Sequence, residues 1–340
     1  MTRKFKIIAS FIFGCFISFL FLEFFLKGTE IKLPFKTFDK EIGKTYLPNS
    51  PINEIKEGLY INQTNQYGFI GNVSLKKKPN TIRIAVFGDS FVEAFQLDPK
   101  FNFCSILERN LNKAVDNKTI EVINFGLSNS VLPDVYIRKK LLAEKFDIDY
   151  CIYFFDSYDL ILDSQSTLDP VKIINSNNKL QIVKNQSKAY ELYYKAQTLI
   201  DNTSLINMIM EAYILHARGE SRKIILDKFY QPETTAFDYS YYDYYFKNLT
   251  DLQIKMLKEL LNDKSLFILN EKAEPALENT LKKYNFKFYE TYPVLENLRQ
   301  KGVNPYFWEN SNMEGHFNYH AHEAIGNYLT FVFNKKRLNQ

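Results

Sequence analysis

Apolar residues are distributed along the chain in three patterns. The first is one long run. Residues 7–26 read IIASFIFGCFISFLFLEFFL and carry a single charge, Glu23, close to the length that spans a bilayer core. The second is a set of short runs rich in β-branched and aromatic residues. "TIRIAVF" (81–87), "IEVINFG" (120–126), "DYCIYFF" (149–155), "SLFILNE" (265–271) and "FKFYE" (286–290) predict five strands. Helical spacing separates them. Pro99 opens a stretch with Phe103, Ile106, Leu107 and Leu111 in register, and Pro133 opens another carrying Val135, Ile137, Leu141 and Leu142. The third pattern lies in residues 160–235, where the alternation breaks. "KAYELYYKAQTLIDNTSLINMIMEAYILHARG" (188–219) has apolar groups three and four apart and predicts one or two amphipathic helices. They form an insertion beside the sheet's edge or a cap over it. "YSYYDYYF" (239–246) precedes a further helix through residue 262. Its tyrosines suit packing, or stacking on sugar rings.

Strands alternating with helices predict right-handed crossovers and a parallel sheet covered on both faces. Ligands of such sheets bind beyond the carboxyl ends of the strands. Three loops stand there: Gly88-Asp89-Ser90, Gly126-Leu127-Ser128 and Asp156-Ser157-Tyr158-Asp159. Ser90 therefore sits where chemistry is expected, either as a nucleophile or as a cap on the next helix. The chain divides into an apolar segment over 1–27, a lead-in over 28–80 with Pro34, Pro48, Pro51 and Pro79, and an α/β domain over 81–334.

Charge adds an orientation. Arg3, Lys4 and Lys6 precede the apolar run, so the positive-inside rule leaves the N-terminus in the cytoplasm and the main domain in the periplasm or outside the cell. The bilayer is then a partner of residues 7–26. A cleaved signal peptide is the rival reading, but the run ends in Phe24-Phe25-Leu26-Lys27 without small residues before a cleavage site. Cys15 follows Gly14, but strongly apolar sequence continues beyond it, against lipidation there. The net charge is only +4, spread along 340 residues, which is no nucleic-acid footprint. The three cysteines lack metal-type spacing. A Cys104–Cys151 disulfide stays open for an exported domain. No cofactor is expected.

Three of the four histidines fall in "MEGHFNYHAHEAIGNYL" (313–329): His316, His320 and His322. A metal site would need further ligands, and only Glu314 and Glu323 are near. No metal is expected. The alternative is a base for Ser90. A nucleophilic serine needs a base within hydrogen-bond reach and a group that orients that base. His316, placed in the loop after the fifth strand, can return to the edge that holds Ser90, and Glu314 is the nearest acid.

"FGDSFVEAFQ", "VINFG" and "HFNYHAHEAIGNYL", in that order, resemble the GDSL/SGNH hydrolase superfamily, and within it exported, membrane-anchored bacterial members. "NQYGFIGN" (65–72) resembles a lead-in of that group. The match covers roughly residues 62–160 and 264–334. The resemblance implies a flavodoxin-like three-layer α/β/α fold around a parallel sheet of about five strands, with the helical insertion and a transmembrane helix added. It implies Ser90 as nucleophile and oxyanion donor, Gly126 as a second donor, His316 as base, His322 as a histidine without a catalytic part, and Asn318 as structural. Two departures stand out. Tyr158 occupies the place of the family's oxyanion asparagine, and its hydroxyl lies farther from the backbone. Glu314, two residues before His316, stands where the family has an aspartate. The function implied is a membrane-anchored serine esterase or acyltransferase acting on O-acyl groups of a cell-envelope glycan or lipid. The alternative is a catalytically impaired relative that binds a glycan or an envelope partner.

Overall fold

The computed structural model describes residues 3–29, 35–52, 57–115, 117–161, 169–217 and 249–338. Five parallel strands form the central sheet: β1 (Thr81–Phe87), β2 (Thr119–Asn124), β3 (Tyr150–Phe155), β4 (Ser265–Leu269) and β5 (Tyr289–Glu290), in the order β5-β4-β3-β1-β2. That is the flavodoxin-like order 2-1-3-4-5. The switch point lies between β1 and β3, the position where open α/β sheets bind ligands. Both faces of the sheet are covered, and the central strands read as near-continuous apolar runs for that reason. Ala85, Phe87, Tyr153, Phe155 and Phe267 pack into one core, and Ile84, Val86, Ile152, Phe154 and Ile268 into the other.

Two helices clamp the second face. α3 (Phe103–Lys113) lies against the C-terminal α11 (Tyr319–Leu338). A Cβ at Gly326 would overlap the Ile106 side chain, so a glycine lets the helices approach closely. Arg83, buried on β1, ties the lead-in to the sheet. Its Nε donates to Glu121 at 2.7 Å, and its two other nitrogens donate to the carbonyls of Ser74, Leu75, Lys76 and Phe146.

The lead-in has secondary structure of its own. Lys36–Asp39 pairs antiparallel with Gly43–Tyr46, Pro51–Ile52 pairs with Asn62–Gln63, and Phe35, Tyr46, Ile52, Ile70 and Leu127 form a small core of their own. The insertion differs from the expected helices alone. It opens with an antiparallel hairpin, Val171–Ser176 against Lys179–Lys184. The turn residues Asn177 and Asn178 both have positive φ, which suits a two-residue hairpin turn. Helices α6 (Lys188–Asn202) and α7 (Ser204–Ala217) follow. The tyrosine run at 239–246 lies outside the described residues. Among those described, one helix, α1 (Arg3–Thr29), is long and apolar enough to cross a membrane. Cys15, Cys104 and Cys151 are free thiols.

Candidate active site

The apolar run of β1 ends at Phe87, and the chain turns at once into the one-turn helix α2 (Ser90–Glu93). Asp89 caps it: its side chain accepts the Phe91 N–H at 2.9 Å. Capping by Asp89 frees Ser90 from that task, so the hydroxyl is available to another partner. That partner is His316, whose Nε2 lies 2.8 Å from Ser90 Oγ. His316 reaches this edge from farther along the chain than the fifth strand's own loop. Helix α10 (Tyr292–Gln300) and a short hairpin, Phe307–Trp308 with Met313–Glu314, intervene after β5.

The group that orients His316 is not Glu314. Glu314 accepts the side-chain amide of Asn304 at 2.7 Å. It sits on an exposed two-residue strand. The acid on the ring is Glu57, from the lead-in. Its Oε1 lies 2.8 Å and its Oε2 3.1 Å from His316 Nδ1, and Oε2 also accepts the His316 backbone N–H at 3.0 Å. A carboxylate bound to both the ring and the main chain of one residue fixes that residue's rotamer as well as its tautomer.

Two glycines make room for it. A Cβ at Gly315 would overlap the Glu57 carboxyl carbon, and a Cβ at Gly58 would overlap the Trp308 ring and the Gln96 carbonyl. Trp308, fully buried, in turn donates from its indole N–H to the His316 carbonyl at 2.9 Å. Burial alone would lower the His316 pKa. The Glu57 hydrogen bond and charge, with Asp89 and Glu93 behind them, raise it above the ordinary histidine value instead.

The other side of Ser90 is wired differently. The Gly126 N–H, expected to face a developing oxyanion, donates to Asn124 Oδ1 at 2.8 Å. An asparagine side chain closing on the backbone two residues ahead is a common turn device, and here it occupies the donor. Gly126 itself is required for packing, since a Cβ there would overlap the Glu93 backbone. The Ser90 N–H lies at the start of α2, where helix geometry leaves the first N–H groups without intrahelical partners. Tyr158 lies on a short helix, Ser157–Ile161, with its side chain 41 % exposed.

Three carboxylates stand behind this loop. Oxygens of Asp89, Asp156 and Asp159 lie within 4.8 Å of one another. Burial and the charge of Asp156 raise Asp89 to about 7, against the opposing effects of the Phe91 N–H and of His316. Burial also raises Asp156, and burial with the charges of Asp89 and Asp156 raises Asp159. Nearby, burial lifts Glu93 to about 7 although the Ser128 N–H and hydroxyl both donate to it.

The remaining histidines have other duties. His322 is fully buried, accepts the Phe103 N–H on Nδ1 at 3.2 Å, and is pushed down to about 3 by burial. It is a neutral structural residue. His320 lies exposed on α11, and both ring nitrogens of His316 face Glu57 and Ser90. The three histidines therefore do not converge on one point. Asn318 holds the loop before α11, donating to the carbonyls of Asn304 and Phe307 at 2.8 Å each.

With Ser90, His316 and Glu57 in line at one end of a parallel sheet, known proteins provide a comparison. The solved structures that match this chain include lipases and esterases. A lipase/acylhydrolase from Enterococcus faecalis is 13% identical with a TM-score of 0.38, over 75% of this chain and 96% of that one. A two-domain esterase active on acetylated mannans is 12% identical with a TM-score of 0.36, over 76% of this chain and 50% of that one. An acetyl xylan esterase from Geobacillus stearothermophilus is 11% identical with a TM-score of 0.35, over 74% and 93%. No family model matches the chain. No curated protein matches it.

Proposed function

We propose that the protein is a serine esterase or acyltransferase, held by its N-terminal helix on the outer side of a membrane. The observation that carries this reading is the unbroken line of hydrogen bonds from Ser90 through His316 to Glu57. In the reaction, His316 Nε2 takes the proton of Ser90 Oγ as that oxygen attacks an ester carbonyl. Glu57 accepts from Nδ1–H, so the tautomer with a free Nε2 is the one present, and the imidazolium that forms is stabilised without losing its second proton. The Ser90 N–H donates to the oxyanion. His316 then returns its proton to the leaving alcohol, and an acyl-Ser90 remains. Water completes hydrolysis, or a sugar hydroxyl completes transfer, with His316 again as base.

The substrate class, O-acyl groups on a cell-envelope glycan or lipid, rests on the anchor and on the resemblance to exported GDSL/SGNH members. A second reading, a glycan- or envelope-binding relative with little activity, is favoured by one observation: the Gly126 N–H is already taken by Asn124. A fluorophosphonate probe separates the two. Covalent labelling at Ser90, lost in Ser90→Ala, supports the enzyme. Folded protein that resists the probe supports the binder.

A further inference from the structure

Among the described residues, the last helix of the insertion has a chemistry inverted for a water-facing surface. α7 reads SLINMIMEAYILHA. Ser204 and Leu205 at its start are buried, whereas Ile209 is 56% exposed and Tyr213 64%, and Met208 and Met210 are exposed too. At 100° per residue, positions 208, 212, 209, 213 and 210 sweep more than half the helix circumference. All five are apolar or aromatic, and the one polar side chain inside the sweep is His216, exposed in the last turn. Asn207, half-buried, lies on the opposite side. A helix at a soluble surface shows water its polar side and hides the apolar one.

The start of α7 is pinned to α1. Glu23, the one charge in the apolar run, accepts the backbone N–H groups of Ser204 at 3.0 Å and Leu205 at 2.9 Å. Lys27, one turn on, pairs with Glu23 at 2.9 Å and donates to the Asn202 carbonyl at 3.0 Å. Glu23 thus caps α7, satisfying orphan donors of its first turn. Positive-inside orientation puts Glu23 at the outer end of α1. The apolar exposed arc of α7 therefore starts where the span leaves the bilayer.

We infer that α7 is a second membrane-contacting element, its exposed apolar arc seated among the lipid chains of the outer leaflet beside α1. This rests on the reading of α1 as a span. Fourteen residues make about 21 Å of helix, too short to cross but suited to an interfacial or re-entrant segment. Its consequence is geometric. α6 precedes α7 and bonds the lead-in hairpin through Thr37 Oγ1 to Asp201, at 2.5 Å. The same hairpin carries Tyr46 against Glu93 at the end of α2. Two lipid contacts, α1 and α7, then fix the tilt of the catalytic domain, where one flexible tether would not. An enzyme held in that way favours acyl groups close to the membrane surface.

The test uses the full chain in lipid nanodiscs, with Cys15→Ser as background. An environment-sensitive fluorophore is placed at Ile209→Cys, and separately at Phe16→Cys on α1, and bilayers with and without nitroxide-labelled lipid chains are compared. The expected result is blue-shifted emission from both sites and loss of most of it to the nitroxide lipid. Quenching at 16 but water-like, unquenched emission at 209 overturns the inference and leaves the anchor standing. Blue-shifted emission at 209 that lipid nitroxides do not quench, and that reverts on dilution, assigns the arc to a second copy and also overturns it. Unquenched emission at 16 defeats the anchor itself.

Discussion

The two sides of Ser90 are built to different standards. On the proton-transfer side, every polar atom of the His316 ring is held, by Ser90 and by Glu57, and the backbone of His316 is held twice more, by Glu57 and Trp308. On the other side, the Gly126 N–H is turned to Asn124, Tyr158 is exposed, and three carboxylates, of Asp89, Asp156 and the buried Asp159, crowd the loop. Preorganised donors aimed at developing charge are usually the largest single contribution to acyl transfer. A site with a complete proton relay and a lean oxyanion hole is expected to form an acyl-enzyme, and to do so slowly on simple esters.

The largest expected effects lie on the well-built side. Ser90→Ala and His316→Ala each reduce p-nitrophenyl acetate turnover by on the order of 10⁴–10⁶, and the double variant is little worse than either. Additive losses in the double variant would show that the two residues do not share a step.

Next come changes that act through Glu57. Glu57→Gln lowers kcat by about 10²–10⁴ with little change in KM, since it disturbs tautomer and charge without touching the nucleophile. Gly315→Ala does nearly as much, because its Cβ displaces the Glu57 carboxylate. Glu314→Gln leaves turnover near wild type. The pH profile sharpens the point. His316 must be neutral to act as base, so activity rises with pH through a pKa above the ordinary histidine value. Glu57→Gln removes what holds that pKa up and shifts the limb to lower pH. A limb that stays in place would mean that another group sets it.

On the lean side the expected changes are smaller, and one of them is a gain. Tyr158→Asn supplies the shorter amide donor and raises kcat, by up to the 10²–10³ that one oxyanion donor typically contributes. The gain falls in kcat because the bond strengthens only as charge develops. An unchanged or lower kcat at equal thermal stability would show that Tyr158 already serves the site.

The smallest effect is on stability. Burial and Asp156 raise Asp89 to about 7. A carboxyl whose folded-state pKa exceeds its unfolded value binds its proton more tightly when folded, so its contribution is complete below about pH 4 and lost as pH rises through about 7. Asp89→Asn keeps the cap on Phe91 and abolishes the titration. Its melting temperature should exceed wild type by several degrees at about pH 8 and fall less steeply between about pH 4 and 8, as followed by scanning fluorimetry. An unchanged slope would place the titration elsewhere.

The fold was legible because its signals are local. The β-branched runs mark the strands, "TIRIAVF" matching β1 residue for residue, and the serine at a strand end follows from where the apolar run stops. The hairpin at 171–184 was legible too, in the alternation of "VKIINSNNKLQIVK" around Asn-Asn, but the helical pattern after it dominated the reading of the whole insertion. Glu57 was not legible. It meets His316 across 259 positions of sequence, in a proline-marked lead-in, and nothing in its neighbours signals an orienting acid. Glu314 is favoured in the sequence by proximity and by its place in the resembling motif, but its carboxylate is engaged by Asn304. The fate of the Gly126 N–H was equally hidden, since it depends on the rotamer of Asn124.

The central claim is that Glu57, and not Glu314, completes the site around Ser90 and His316. The most direct measurement is the rate of fluorophosphonate labelling at Ser90, followed by intact mass, for wild type, Glu57→Gln and Glu314→Gln side by side. The account predicts a wild-type adduct lost in Ser90→Ala, labelling slowed by about 100-fold or more in Glu57→Gln, and an unchanged rate in Glu314→Gln. Equal rates in all three, or slowing in Glu314→Gln alone, would contradict it.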